Sequence, residues 1–204
     1  PQWSPFDADL DGDEDLIAFD RDGSRILVFE RLDNGDLTVN WDWTSGFPSM
    51  VDWCLLRDYN CDGKADIFTS HMNGIRVYEN TTVPGDAPTF STAPIDLTAS
   101  FDFGSGASDL PVICIGMDLP AISDLDDDGD LDLYLANLGP DRFFLNDGGG
   151  RFSTLPDEAF ANDDGFSVAP CFIDHDRDGD LDLFVARYMA WSPEIEVDCR
   201  NAQG

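Results

Sequence analysis

A nine-residue acidic pattern that occurs four times constrains this chain more than any other feature. The pattern is D-x-[DN]-x-D-G-x-x-D, and its four copies align without gaps. They cover residues 7–15, 58–66, 124–132 and 174–182, so their starts are separated by 51, 66 and 50 residues. Repetition at this period predicts a fold in which one supersecondary unit is repeated along the chain.

The pattern matches what a calcium ion requires of a loop. Ca²⁺ takes about six to eight oxygen ligands at about 2.3–2.6 Å in a flexible geometry. Magnesium is less suitable because it requires a near-ideal octahedron, and zinc is disfavoured because each site offers only oxygen ligands. Side chains at positions 1, 3, 5 and 9 can supply oxygens, position 7 a backbone carbonyl, and glycine at position 6 permits a positive φ. We therefore predict about four calcium ions. The candidate ligands are Asp7, Asp9, Asp11, Asp13 and Asp15, then Asp58, Asn60, Asp62, Lys64 and Asp66, then Asp124, Asp126, Asp128, Asp130 and Asp132, and finally Asp174, Asp176, Asp178, Asp180 and Asp182, with Asp13, Lys64, Asp130 and Asp180 binding through the backbone carbonyl.

The second of these loops differs from the others in charge. It has Asn60 where the other loops have aspartate, and Lys64 adds a positive charge. Fewer carboxylates lower the affinity of an oxygen-ligand site for calcium. We expect the second site to be the weakest.

The residues after each loop distinguish these sites from EF-hands. An EF-hand has glutamate at position 12 and a helix on each side. Each loop here is followed instead by a short segment rich in branched and aromatic residues, which is typical of a strand. Position 12 is Ala18, Thr69, Leu135 or Val185, none of which can bind the ion through its side chain.

Further strands are predicted around each loop, and the total is about four per repeat of about 50 residues, which is typical of a β-propeller blade. Almost nothing ahead of Asp7 predicts a strand. The strands predicted directly after the loops lie at residues 16–19, 67–70, 131–136 and 181–186. A second set of strands is predicted at residues 25–29, 75–79 and 142–146, and a third set at 37–41 and 151–154. Apolar stretches precede the second, third and fourth loops at residues 51–56, 113–122 and 168–173.

We therefore predict an all-β fold, with residues 1–204 forming one β-propeller segment. Its blade-like repeats would cover approximately 1–49, 50–110, 111–164 and 165–204. Residues 80–110 are rich in Pro, Ser, Thr and Gly, which predicts an insertion on one face. The fourth repeat is incomplete, so we expect a larger propeller of six to eight blades.

The loops resemble those of the FG-GAP/VCBS repeat family, the calcium-loop propellers that include the integrin α-subunit head. Residues 55–68 (L-L-R-D-Y-N-C-D-G-K-A-D-I-F) and 74–80 (G-I-R-V-Y-E-N) resemble secreted surface proteins of Bacteroidetes-type bacteria. Residues 181–194 (L-D-L-F-V-A-R-Y-M-A-W-S-P-E) resemble the repeat region of ASPIC/UnbV-type proteins. The resemblance implies a calcium-bound propeller that is extracellular, on the cell surface or periplasmic, and that serves adhesion, ligand binding or scaffolding.

Composition restricts the partners of the chain. A net charge of −31 excludes binding of nucleic acid or of an anionic membrane through a basic face. No apolar run is long enough to predict membrane insertion. The five cysteines, Cys54, Cys61, Cys114, Cys171 and Cys199, leave the disulfide pairing open.

The sequence offers little support for catalysis. It has no nucleophile motif, and its two histidines, His71 and His175, are expected on the surface. We predict a non-enzymatic module with structural calcium that binds an extracellular protein or carbohydrate. The alternatives are a polysaccharide lyase or hydrolase on the same scaffold, and a surface-layer or filament subunit that self-associates through open blade edges. We expect the tryptophans to pack between blades rather than line a sugar-binding face.

Overall fold

The computed structural model describes the chain at residues 1–72, 74–102, 106–114, 119–126, 128–137, 139–146, 151–155 and 165–189. Sixteen strands and one short helix lie in these residues, which confirms the predicted all-β class. No helix in this part of the chain is long and apolar enough to cross a bilayer.

The strands form four sheets in chain order, here named sheets I to IV. Sheets I, II and IV are antiparallel, and sheet III also contains one parallel pair. Sheet I contains β1 (Gln2–Phe6), β2 (Asp15–Asp20), β3 (Arg25–Arg31) and β4 (Leu37–Val39), and sheet II contains β5 (Cys54–Arg57), β6 (Asp66–His71), β7 (Gly74–Tyr78) and β8 (Ile95–Asp96). Sheet III has the spatial order β10-β9-β14-β13-β12-β11, with β9 (Thr98–Asp102), β10 (Ala107–Pro111), β11 (Ala121–Ser123), β12 (Asp132–Leu135), β13 (Arg142–Asn146) and β14 (Arg151–Thr154). Sheet IV contains β15 (Phe166–Ile173) and β16 (Asp182–Met189).

Two predictions about sheet I were wrong. A strand does precede Asp7, because β1 pairs with β2 from Gln2 opposite Phe19 to Phe6 opposite Asp15. The strand predicted at residues 37–41 ends at Val39. The Asn40 side chain accepts hydrogen bonds from two following backbone N–H groups and so starts a one-turn helix, α1 (Trp41–Thr44).

Residues 80–110 contribute strands to two different sheets. β8 pairs with β7 and completes sheet II as a four-stranded sheet. The hairpin of β9 and β10 extends sheet III, because β9 pairs in parallel with β14. Strands of this segment therefore join the sheets on both sides of it in the sequence.

Consecutive sheets pack face to face. Phe6, Ile17 and Phe19 of sheet I share one apolar core with Cys54 and Leu56 of sheet II. Equivalent cores lie between sheets II and III and between sheets III and IV. This arrangement follows from the two-residue periodicity of a strand, which turns alternate side chains to opposite faces.

In consecutive sheets, the strands that precede the acidic loops lie side by side. The Gln2 side chain in β1 donates to the carbonyl of Cys54 in β5 and accepts from its N–H. Arg57 Nε, at the end of β5, donates to the carbonyl oxygen of Ile122 in β11 at 3.2 Å. The loops that follow these strands are thereby held near one another.

Candidate metal centres

Each acidic loop connects two neighbouring antiparallel strands, which are β1 and β2, β5 and β6, β11 and β12, and β15 and β16. Position 9 of the loop is the first residue of the second strand of the pair. Neighbouring loops come into contact, since Cys61 Sγ in the second loop lies 3.0 Å from the carbonyl oxygen of Gly129 in the third. A turn in residues 80–110 also reaches the first loop, where the N–H of Gly85 donates to the carbonyl of Asp9 at 2.6 Å.

Glycine at position 6 has the backbone conformation that the sequence predicted. The four glycines have φ angles of +97°, +85°, +95° and +100° in loop order. Only glycine adopts this region without a steric cost, which explains why the position is glycine in every copy. Position 4 is also left-handed at Leu10, Cys61 and Arg177, with φ between 57° and 64°.

Carboxylates inside each loop accept hydrogen bonds from the loop's own backbone. The position-5 carboxylate accepts from the N–H of position 7 at 2.8, 3.0, 2.9 and 3.0 Å in loop order. The position-1 carboxylate accepts from the glycine N–H in the first three loops, at 3.1, 2.8 and 3.1 Å. These bonds turn carboxylate oxygens toward the inside of the loop.

Position 9 joins each loop to the sheet. One oxygen of this carboxylate accepts from the N–H of position 2, at 2.9, 2.8, 2.9 and 3.0 Å in the four loops. In the first three loops the other oxygen accepts a backbone N–H from a residue at the end of the next strand or just after it. The donors are Arg31 at 2.7 Å, Asn80 at 2.6 Å and Asn146 at 2.9 Å. Asp66 and Asp132 are fully buried in this position.

The sequence did not reveal the role of Arg31, Asn80 and Asn146. Their side chains return to the carbonyl oxygen of position 8, at 2.6, 3.1 and 3.3 Å respectively, so each residue makes two hydrogen bonds to its loop. The two asparagines lie 22 residues after the start of their loops, and this common offset could have indicated them. Arg31 has a different side chain and offset, and only the structure shows that it does the same.

Three loops bring acidic oxygens close enough together to hold one ion. In each, three carboxylates place one oxygen apiece within 4.8 Å of one another. Ligands on opposite sides of a calcium ion, each about 2.4 Å from it, are about 4.8 Å apart, so the spacing fits. The groups are Asp7, Asp9 and Asp15; Asp124, Asp126 and Asp132; and Asp174, Asp176 and Asp178.

A comparison with protein families matches part of the chain. Residues 124–185 match the family model of the FG-GAP-like repeat. The match begins at position 1 of the third loop and ends three residues after the fourth, so it contains both loops and the strands between them. A comparison with curated proteins gives no significant match.

Electrostatics within the loops of this repeat protein favours a bound cation. Burial raises the pKa of Asp132, and burial followed by repulsion from Asp11 and Asp15 raises the pKa of Asp9. Burial also raises the pKa of Asp66 to about 6. Asp124 Oδ1 is buried and has no hydrogen-bond donor. A divalent cation among these oxygens would remove the repulsion and satisfy that atom.

The second loop has the same backbone frame but a different charge. In the part of the chain that the structure describes, it brings no three carboxylates within the distance found in the other loops. Asn60 takes the place of an acid there, and its Oδ1 accepts from the N–H of Asp62 at 3.1 Å. Lys64 Nζ lies 3.5 Å from Asp62 Oδ2, so an ammonium group already faces one candidate ligand.

Proposed function

We propose that this chain is a calcium-binding β-propeller segment that acts outside the cytoplasm as a non-enzymatic module for binding a protein or a carbohydrate. The observation that supports this most is the repeated loop frame, in which the same hydrogen bonds recur from loop to loop and three of the four loops bring three carboxylates within 4.8 Å of one another. The FG-GAP-like repeat supports a propeller-type ligand-binding module. The face-to-face packing of consecutive sheets is the packing that blades of a propeller use.

Calcium has a structural role in this proposal. The candidate ligands come from both ends of each loop, and position 9 is bonded to the end of the next strand. In sheets I to III, an ion held by positions 1, 3, 5, 7 and 9 would therefore fix the two strands that flank the loop and the strand that follows them relative to one another. It would also offset the cost of burying carboxylates such as Asp66 and Asp132.

The proposed location follows from the affinity that such sites have. Calcium sites of extracellular modules have dissociation constants of about 10⁻⁴ to 10⁻³ M. Millimolar calcium fills sites of that affinity, whereas the much lower cytosolic concentration leaves them empty. A protein whose stability depends on four such sites would function outside the cell or in the periplasm.

The non-enzymatic role is proposed because the buried acids are committed to the loop frame. Asp15, Asp66 and Asp132 each accept two backbone hydrogen bonds, so general acid or base chemistry at them would disrupt the loop. Gel electrophoresis through immobilised alginate, xylan or pectin, with an assay for new reducing or unsaturated ends, tests this part. Retardation without new ends supports a binding module, and turnover would favour the polysaccharide-active alternative.

A calorimetric titration of chelator-stripped protein with calcium tests the metal sites. We expect close to four ions per chain, and Asp128→Asn in the third loop should weaken one of them. Asp33→Asn is the matched control, because Asp33 is an exposed acid outside the loops. A count of zero or one, or an equal effect of the control substitution, would contradict the proposed sites.

A further inference from the structure

Sheet III contains a cleft that no acidic loop contributes to. Its volume of about 420 Å³ lies within the range of about 300–1,000 Å³ that is typical of small-molecule pockets. Five of the residues that line it are apolar, namely Phe101, Leu110, Pro111, Ile113 and Phe144. The rings of Phe101 in β9 and Phe144 in β13 contact each other edge to face, with their centroids 6.4 Å apart.

The cleft lies at the end of sheet III that is distant from the acidic loop. β12 leaves the loop at Asp132 and ends at Leu135, which pairs with Arg142, another lining residue. The described strands of sheets I and II number four each, whereas the hairpin of β9 and β10 gives sheet III six. The N–H of Val112 donates to the carbonyl of Leu97 at 3.0 Å and holds the segment that follows this hairpin. The hairpin therefore makes the cleft a feature of this sheet rather than of the repeat.

Arg142 occupies a repeat position at which sheet II already binds a carboxylate. Arg76 and Arg142 each lie 18 residues after the start of their loop, and they pair with the equivalent residues Thr69 and Leu135 of the preceding strand. In sheet II, two nitrogens of the Arg76 guanidinium donate to the two carboxylate oxygens of Asp96 in β8, at 2.6 and 2.8 Å. An arginine at this position can therefore hold a carboxylate in the bidentate geometry that strengthens such a pair.

Sheet III leaves the equivalent arginine without a carboxylate. β14, the strand next to β13, contains no acid, and among the residues that the structure describes Arg142 forms no ion pair. Asn137 is the other polar residue lining the cleft, and its side-chain N–H groups donate to the carbonyls of Leu135 and Pro140, at 3.2 Å each. Arg142 is therefore the group of the described lining that can pair with an anion.

We propose that this cleft binds a small molecule that has an apolar or aromatic body and one carboxylate. The carboxylate would form with Arg142 the paired hydrogen bonds that Asp96 forms with Arg76 in sheet II. The apolar body would cover Leu110 and Ile113, which are 41% and 69% exposed, and would remove apolar surface from water. Binding here does not depend on the proposed calcium sites, because no lining residue belongs to an acidic loop.

Calorimetric titration of the full chain, in millimolar calcium, with three acids and their neutral amides tests the cleft. The acids are 3-phenylpropanoate, 4-methylpentanoate and octanoate, and we expect at least one to bind with a dissociation constant below about 1 mM. That acid should bind about tenfold more tightly than its amide, because hydrogen bonds to a charged group are the stronger ones. Arg142→Gln should weaken binding of the acid about tenfold and leave binding of the amide nearly unchanged.

The matched control is Arg151→Gln, which removes the same charge from an exposed arginine of sheet III that does not line the cleft. It should leave binding of the acid unchanged. Circular dichroism verifies that each variant folds. Ile113→Asp, which puts a negative charge at an exposed lining residue, should also weaken binding of the acid and replaces Arg142→Gln if that variant does not fold. The proposal is wrong if no acid binds, if acid and amide bind equally, or if the cleft variants and the control lose affinity equally.

Discussion

The second and third loops share one backbone frame and differ in the charge inside it. In both, position 9 is fully buried and accepts an N–H from position 2 and another from an asparagine 22 residues after the loop start. The third loop gathers three carboxylates within 4.8 Å, while the second has Asn60 and an ammonium group beside Asp62. The backbone frame and the charge inside it are therefore separable, and we expect the two loops to differ in affinity for a cation.

Removing the shared frame should have the largest effect. Asp66→Ala and Asp132→Ala each delete two hydrogen bonds from a buried carboxylate and leave backbone N–H groups without an acceptor. Because hydrogen bonds to charged groups contribute about 1.5–3 kcal/mol each, we expect each variant to lose about 3 kcal/mol or more of unfolding free energy. Urea denaturation in saturating calcium measures this, with Asp33→Ala as the control. If either loop variant were as stable as the control, position 9 would not be the link between loop and sheet.

Exchanging the charge at position 3 should reverse the order of the two sites. Asn60→Asp should tighten calcium binding at the second loop, and Asp126→Asn should weaken it at the third. We expect roughly tenfold in each case, or about 1.4 kcal/mol, because the number of carboxylates tunes affinity in oxygen-ligand loops. In a calorimetric titration, Asn60→Asp should raise the affinity of the weakest calcium-binding step. Asp126→Asn should instead add a second weak binding step. Weaker binding by Asn60→Asp would show that charge does not distinguish these loops.

Asn80, just after β7, and Asn146, the last residue of β13, offer a test of the frame that spares every candidate ligand. Asn80→Ala and Asn146→Ala remove the side-chain hydrogen bond to the position-8 carbonyl but keep the backbone N–H. We expect each to cost about 1 kcal/mol of stability, and the two losses to be similar. Denaturation curves of the two variants would decide this, and a large difference between them would argue against a common frame.

The ion pair of Lys64 should have the smallest effect. The Lys64 and Asp62 side chains are 28% and 34% exposed, and such pairs contribute about 0.2–1 kcal/mol. Lys64→Gln should therefore tighten the second site about two- to threefold, because the ammonium group no longer competes with the ion. Lys64→Arg is the control and should leave the affinity nearly unchanged. A weaker site in Lys64→Gln would mean that the lysine helps to hold the loop.

Much of the loop geometry could be predicted from the sequence because it is local. The glycine at position 6 adopts a positive φ, and the short-range hydrogen bond from the position-7 N–H to the position-5 carboxylate lies within the same nine residues. The strands predicted at residues 142–146 and 151–154 were confirmed for a similar reason, since turn signals bound them on both sides.

The remaining features depend on contacts that are distant in sequence. β1 contains Ser4 and Pro5 and is a strand because β2 pairs with it. β9 pairs in parallel with β14, about fifty residues later, and no local pattern indicates such a partner. Arg31 takes the place that asparagine has in the next two repeats, so the equivalence is visible only in the hydrogen bonds.

Thermal unfolding with and without a chelator tests the central claim, that calcium in the repeated loops stabilises the fold. A site held at 100 times its dissociation constant contributes about 2.7 kcal/mol, and several such sites approach the total of about 5–15 kcal/mol that is typical of a domain. At matched ionic strength, so that screening is not mistaken for binding, chelation should lower the melting temperature by about 10 °C or more, and added calcium should restore it. Melting temperatures that agree within about 2 °C would contradict the claim.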